Sequence, residues 1–141
     1  MEKQYKNILV AVDGSARSEK AFEEALNVSK AHNSQLFIVY IESEIVPYRE
    51  GLDETARLRK QIAGPLLDKV ERARTFGVEK VETLVESGNP KTYLAKILPE
   101  ELQIDVIFMG ASQSGILSKG LIGSTVSYVL KHAPCLVQVI K

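Results

Sequence analysis

The chain of 141 residues has no tryptophan, one cysteine and two histidines, and each scarcity removes a class of protein. Cys135 has no second cysteine to pair with, so no intrachain disulfide can staple the fold. It lies in the apolar run Cys135-Leu136-Val137, where a free cysteine acts as a small hydrophobe. His32 and His132 supply no metal-ligand spacing with it, so no metal site is expected. An excess of one charge is missing too: Lys plus Arg and Asp plus Glu each total 18. The two signs are interleaved, as in Lys20, Glu23, Glu24 and Lys30. Counterion release from a phosphate backbone needs a basic stripe, so a nucleic-acid partner is disfavoured. No apolar run approaches the ~18 residues of a membrane helix. Met1 to Lys6 is polar and lacks the apolar centre of a signal peptide. A cytoplasmic protein without a membrane partner is the expectation.

The length suits one domain, here 1–141, with a core that needs no covalent help. Short β-branched runs alternate with longer stretches of helical period, the pattern of parallel strands joined by helical crossovers. Five strands are predicted: Asn7 to Val12, Leu36 to Ile41, Val81 to Val85, Ile104 to Met109 and Leu136 to Ile140. The first two are apolar on both faces and belong at the centre of a sheet. The third alternates and reads as an edge, and the last suits the other edge. Ser15 caps a predicted helix with an apolar face of Ala21, Phe22, Ala25, Leu26 and Ala31 or a neighbour. A second helix carries Leu58, Ile62, Leu66, Val70 and Ala73, with a kink or break expected at Gly64-Pro65. Asn89-Pro90 opens a third, which Pro99 should end, and a last helix runs from about Ser124 to Lys131. Two long loops, Glu42 to Leu52 and Gly110 to Gly123, exceed what connection requires.

The expected fold is therefore α/β, a doubly wound five-stranded parallel sheet with helices on both faces. Strand orders 3-2-1-4-5 and 2-1-3-4-5 both fit the handedness of the crossovers. The first opens a crevice above the carboxyl ends of strands one and four, where Asp13-Gly14-Ser15 and Gly110-Ala111-Ser112 stand. The loop after strand four holds Gly110, Gly115, Gly120 and Gly123 and leads directly into a helix. Glycines let backbone N–H groups converge on an anion, and a helix start adds unpaired donors and partial positive charge. Ser124 and Thr125 can bond phosphate oxygens, or Ser124 can cap the helix. Asp13 can take a ribose hydroxyl, hold magnesium through water, or cap the following helix. Ile41 is either an apolar wall for a base or plain core. A Walker A motif is excluded, because Ile116-Leu117 follow Gly115 where Lys and Ser or Thr are required.

Asn-Ile-Leu-Val-Ala-Val-Asp-Gly-Ser from Asn7, Met-Gly-Ala-Ser from Met109, Gly-Ser-Thr-Val-Ser-Tyr-Val-Leu from Gly123 and His-Ala-Pro-Cys from His132 resemble the universal stress proteins. The resemblance covers essentially the whole chain. It implies strand order 3-2-1-4-5, pairing of two copies through Leu136 to Ile140, and binding of an adenine nucleotide, ATP first, with Mg2+ carried by the phosphates. The family's pattern is Gly, two residues, Gly, nine residues, Gly, then Ser or Thr. Gly110, Gly123 and Ser124 fall on it, and Gln113 replaces the second glycine. The resemblance further implies base contacts near Val12 and Ile41, and ribose contacts at Asp13 and Gly110. Phosphate contacts fall at Ser112, Gln113, Gly123, Ser124 and Thr125, and Ala11, Met109 and Ala111 complete the lining.

The reading that follows is a stress-responsive regulatory protein with little or no hydrolysis, since Asp13, Ser118 and Lys119 form no catalytic set for orienting water. The alternative is a dimeric interaction module that binds no nucleotide, resting on Gln113 and the apolar last strand. A response-regulator domain needs clustered acids after strand one and an aspartate after strand three. Only Asp13 follows the first, and Glu86-Ser87-Gly88 follows the third.

Overall fold

The computed structural model describes residues 4–42, 51–111 and 123–141, with backbone alone for 51–59. Strands β1 (Asn7–Ala11), β2 (Gln35–Glu42), β3 (Lys80–Ser87), β4 (Val106–Gly110) and β5 (Leu136–Ile140) form one sheet of order β3-β2-β1-β4-β5. Every pair is parallel, with Ile8 beside both Leu36 and Val106, and Val106 beside Leu136. The order predicted by the resemblance is the one observed. Ile8, Leu9 and Val10 are wholly buried, because β1 is covered on both faces. The edge strand β3 alternates, as its sequence implies.

Helices α1 (Ala16–His32) and α2 (Gly51–Phe76) cover one face. Phe22, Ala25 and Leu26 meet Ile8, Val10, Leu36, Ile38 and Phe108 there. On the other face lie a helical stretch from Pro90 to Leu102 and helix α5 (Ser124–His132). Leu94, Leu98, Val126 and Val129 pack there against Leu9, Val39, Ile107 and Met109.

Three details differ from the sequence expectations. Ala31 is exposed, and Ser29, 1% exposed, takes the inward position near the end of α1. The helix then stops because Asn33 turns left-handed, φ 55°, and its N–H returns to Lys30 and Ser29. Pro65 does not divide α2, which remains one helix. Gln61, Gly64 and Pro65 are all exposed, so water can serve the carbonyl that the proline leaves without a donor.

Pro99 likewise fails to end its helix. A short α3 (Pro90–Thr92), capped by Asn89 Oδ1 on Lys91 N–H, leads into π-helical Tyr93–Ile97 and then α4 (Leu98–Leu102). The Leu98 N–H donates to the Tyr93 carbonyl across the wide π turn. That change of pitch places Pro99 in the opening turn of α4, where a missing N–H costs little. Leu102 and the left-handed Gln103, φ 56°, form the actual end. Most of both long loops, 43–50 and 112–122, lies outside the described residues.

Candidate site at the carboxyl ends of β1 and β4

The strand order puts its switch point between β1 and β4, where connections leave in opposite directions. Val12, just past β1, donates its N–H to the Val39 carbonyl at 2.9 Å, so pairing continues to the brink of the crevice. There the chain turns through Gly14, φ 84°, a conformation that glycine adopts without strain. Asp13 Oδ1 accepts the Ser15 N–H at 2.9 Å and Ser15 Oγ caps α1 by accepting the Ser18 N–H at 3.1 Å. Ser18 Oγ accepts the Asp13 N–H at 3.2 Å and donates to the Ser15 carbonyl. Asp13 thus braces the turn, while Ser15 caps the helix. The carboxylate is exposed, and its Oδ2 makes no hydrogen bond among the described residues.

Gly110 ends β4 against the first turn of α1. A Cβ there would fall 2.8 Å from the Arg17 carbonyl carbon and 2.9 Å from Ser18 N, so only glycine lets strand and helix approach this closely. Ala111 follows, buried, and donates its N–H to the Ile140 carbonyl at 2.8 Å. Its own carbonyl accepts the Gly123 N–H at 3.3 Å. Gly123 is the cap residue of α5, φ −62°, ψ 157°, and no side chain caps this helix. Ser124 is helical rather than the cap, so its hydroxyl does not close the first turn. Ser124 is exposed and Thr125 half-buried.

Asp13 and Gly110 thus both meet the first turn of α1, and Ala111 ties Gly123, at the head of Ser124 and Thr125, to the end of β4. Ser112 and Gln113 lie outside the described residues. Met109 is fully buried, and its side chain belongs to the core. Val12 and Ile41 do not share a face: Val12 packs on the α1 side, whereas Ile41 and Ala11 flank the core under α4 and α5. Ser18, 4% exposed, was not picked out in the sequence, although it stands three residues after the cap, where a polar partner is common.

The first turn of α1 is also held from outside. Glu19 pairs with Lys69, at 2.8 Å, and with Arg72 of α2. Partial burial works against the charge of Glu19, but the hydrogen bonds from both cations outweigh it and hold the carboxyl below its usual range. Among the described residues no group of three or more His, Cys, Asp or Glu stands ready for a metal ion. No described helix is long and apolar enough to cross a membrane.

A doubly wound α/β sheet with its switch point between β1 and β4 and a helix start without a side-chain cap beside it defines the class of protein. Residues 4–141 match the universal stress protein family, and the chain belongs to that family. It is 37% identical over 140 residues to a Staphylococcus aureus (strain USA300) protein named as a universal stress protein, covering 97% of this chain and 84% of the relative. The solved universal stress protein UspA from Lactobacillus plantarum is similar throughout, with a TM-score of 0.81 and 30% identity over 99% of this chain and 100% of that one. A universal stress protein solved in complex with cAMP shares the fold, with a TM-score of 0.75 and 22% identity over 99% of this chain and 98% of its own.

Proposed function

We propose that this universal stress protein is a regulatory module that binds an adenine nucleotide, ATP first, in the crevice between β1 and β4. The observation that carries the reading is the uncapped start of α5 at Gly123, hydrogen-bonded to Ala111 at the switch point. Backbone donors and helix dipole there suit phosphate. Gly123, Ser124 and Thr125 hold the phosphates together with Ser112 and Gln113. Asp13 offers its remaining oxygen to a ribose hydroxyl beside Gly110, and the base lies toward Ala11 and Ile41 with the Val12 backbone at its rim. Adenine chemistry is supported by the family member solved with cAMP. Mg2+ enters with the phosphates, since Asp13 is a single carboxylate and cannot hold the ion alone. Little or no hydrolysis is expected, because Asp13, Ser118 and Lys119 make up no catalytic set for orienting a water. The module acts as one domain in the cytoplasm.

A second copy pairs along β5. The two sheet edges differ: β3 carries Lys80, Glu82 and Glu86, charges that discourage pairing, while β5 carries none. Leu136 of β5 is 56% exposed and Leu130 of α5 45% exposed. This edge also favours the second reading, a dimeric interaction module without nucleotide.

Calorimetric titration of dialysed protein with ATP and Mg2+ separates the two. A micromolar dissociation constant, about −8 kcal/mol, supports the nucleotide reading. No heat at several temperatures from folded protein removes it and leaves the interaction module.

A further inference from the structure

The first turn of α1 carries a cation that the fold leaves unused. Arg17 lies against the end of β4: a Cβ on Gly110 would fall 2.9 Å from the Arg17 Cβ and 2.8 Å from its carbonyl carbon. The residue is half-buried, and among the described residues its guanidinium makes no hydrogen bond or ion pair. The nearby acids are engaged elsewhere. Glu19 is held by Lys69 and Arg72 of α2, Glu23 by Arg72, and Asp13 turns Oδ1 to the Ser15 N–H. Lys69 and Arg72 also sit over the Phe22 ring, at 5.3 and 5.0 Å. A partly buried arginine ordinarily finds an acid or an aromatic face in this way. Arg17 has neither, and it stands at the switch point.

We infer that Arg17 is a phosphate contact of the crevice, acting from the α1 side on the ligand that the start of α5 holds from the other. The inference rests on the nucleotide reading above and adds the residue that makes the site select for ligand charge. Gly123, Ser124 and Thr125 carry no charge, so α5 offers only its backbone donors, two hydroxyls and a partial positive charge. A guanidinium adds a full charge and a planar fork that meets two phosphate oxygens at once. Its methylene stem covers the apolar contact at Gly110 while the charged head keeps access to water, where a phosphate arrives. Asp13 and Arg17 then divide the ligand by chemistry: the free carboxylate oxygen takes a hydroxyl, and the unpaired guanidinium takes an anion.

Calorimetric titration with ATP and Mg2+ of the native chain, Arg17→Met, Arg17→Lys and Lys20→Met tests it. Arg17→Met keeps the apolar stem and removes the charge, and Arg17→Lys keeps the charge and removes the fork. Lys20→Met removes an exposed charge from the next turn of the same helix. The expected result is an ATP dissociation constant about 10- to 100-fold weaker in Arg17→Met, the range for losing a hydrogen bond to a charged group. Arg17→Lys should fall between that and the native chain, and Lys20→Met should lose little, because salt screens a charge that touches no ligand. Native affinity in Arg17→Met overturns the contact and leaves the nucleotide reading standing, since Arg17 would then serve only through its stem. An equal loss in Lys20→Met also overturns it, because the site would be sensing the summed charge of α1. No ATP binding to the native chain removes the nucleotide reading and this inference with it.

Discussion

The two ends of the sheet solve the same problem in opposite ways. At the amino end, strand starts are tied by side chains from distant sequence. Asp105 Oδ2 accepts the Lys6 and Asn7 N–H groups at 2.8 and 2.9 Å, from 99 and 98 residues away. Asn7 Nδ2 donates to the Gln103 carbonyl, Ser34 Oγ to the Tyr5 carbonyl, and the Tyr5 N–H to His32 Nδ1. A half-open hollow of about 550 Å³ lies there, yet several of its groups, including His32 and Asn7, are already engaged. Among the described residues at the carboxyl end, side-chain bonds join Asp13, Ser15 and Ser18 after β1 and Ser87 to Glu42 after β3 and β2, and the start of α5 has no side-chain cap. One end spends its bonding capacity on closure, and the other keeps some in reserve. A ligand can only use what the fold has left unsatisfied, which is why the proposal above puts the ligand at the barer end.

Gly110→Ala strikes the open end where it is tightest and carries the largest expected effect. The new Cβ meets backbone of α1 rather than the tip of a flexible side chain, so strand and helix must separate. A loss of about 3 kcal/mol is expected, read from urea unfolding as a lower midpoint at unchanged slope. A variant as stable as the native chain would mean that α1 shifts freely and that the crevice has no fixed floor.

Asp105→Ala tests the closed end. Two backbone N–H groups lose a charged acceptor at once, a loss of about 2 kcal/mol, and Asp105→Asn should recover part of it. ATP affinity should not change in either variant, because Asp105 stands at the opposite end of the strands. A fall in affinity with unchanged stability would show that the ends are not independent.

The closed end is also where sequence reading had least to offer. Both core faces were legible because β1, β2 and β4 are apolar throughout and the helices keep a regular period, whereas the residues left two strand orders open and the family resemblance chose the observed one. At the carboxyl end the turn at Gly14-Ser15 with its Ser15 cap and the helix start at Ser124 were legible too, since they lie next to predicted strand ends or glycines. Nothing local marks Asp105 as the acceptor for Lys6 and Asn7, because hydrogen bonds across 98 residues leave no pattern in a window of ten or so. Pro99 misled for the same kind of reason: a proline forbids α-helical bonding behind it, but a π turn rearranges that bonding, and the turn is set by packing of Leu94 and Leu98 on the sheet. Ala31 and Ser29 show the limit of residue type as a guide, because the phase of the helix buried the serine and exposed the alanine.

Ser18→Ala sharpens the contrast within the open end. It removes the acceptor of the Asp13 N–H and a donor to the Ser15 carbonyl, but water reaches Asp13, so the loss should be about 1 kcal/mol. Hydrogen exchange at the Asp13 amide should quicken much more than that at Val12, whose partner is the Val39 carbonyl. Equal acceleration at both would place the weakness in the strand rather than in the turn.

The smallest effect is chemical and joins the closed end to the last strand. Partial burial, and then the negative charge of Asp105, push the Cys135 thiol up from 9.0 to about 11. The native thiol should therefore resist iodoacetamide at neutral pH and react faster only as the pH climbs through that window. Between 9.0 and about 11 the unfolded chain gives up this proton before the native one does, so the thiol's contribution to stability is complete below 9.0 and declines as pH rises. Asp105→Asn takes away the repelling charge and should move the alkylation profile to lower pH by a fraction of a unit. A profile that stays in place would mean that the thiol responds to burial alone, and that the charge binding Lys6 and Asn7 does not reach the start of β5.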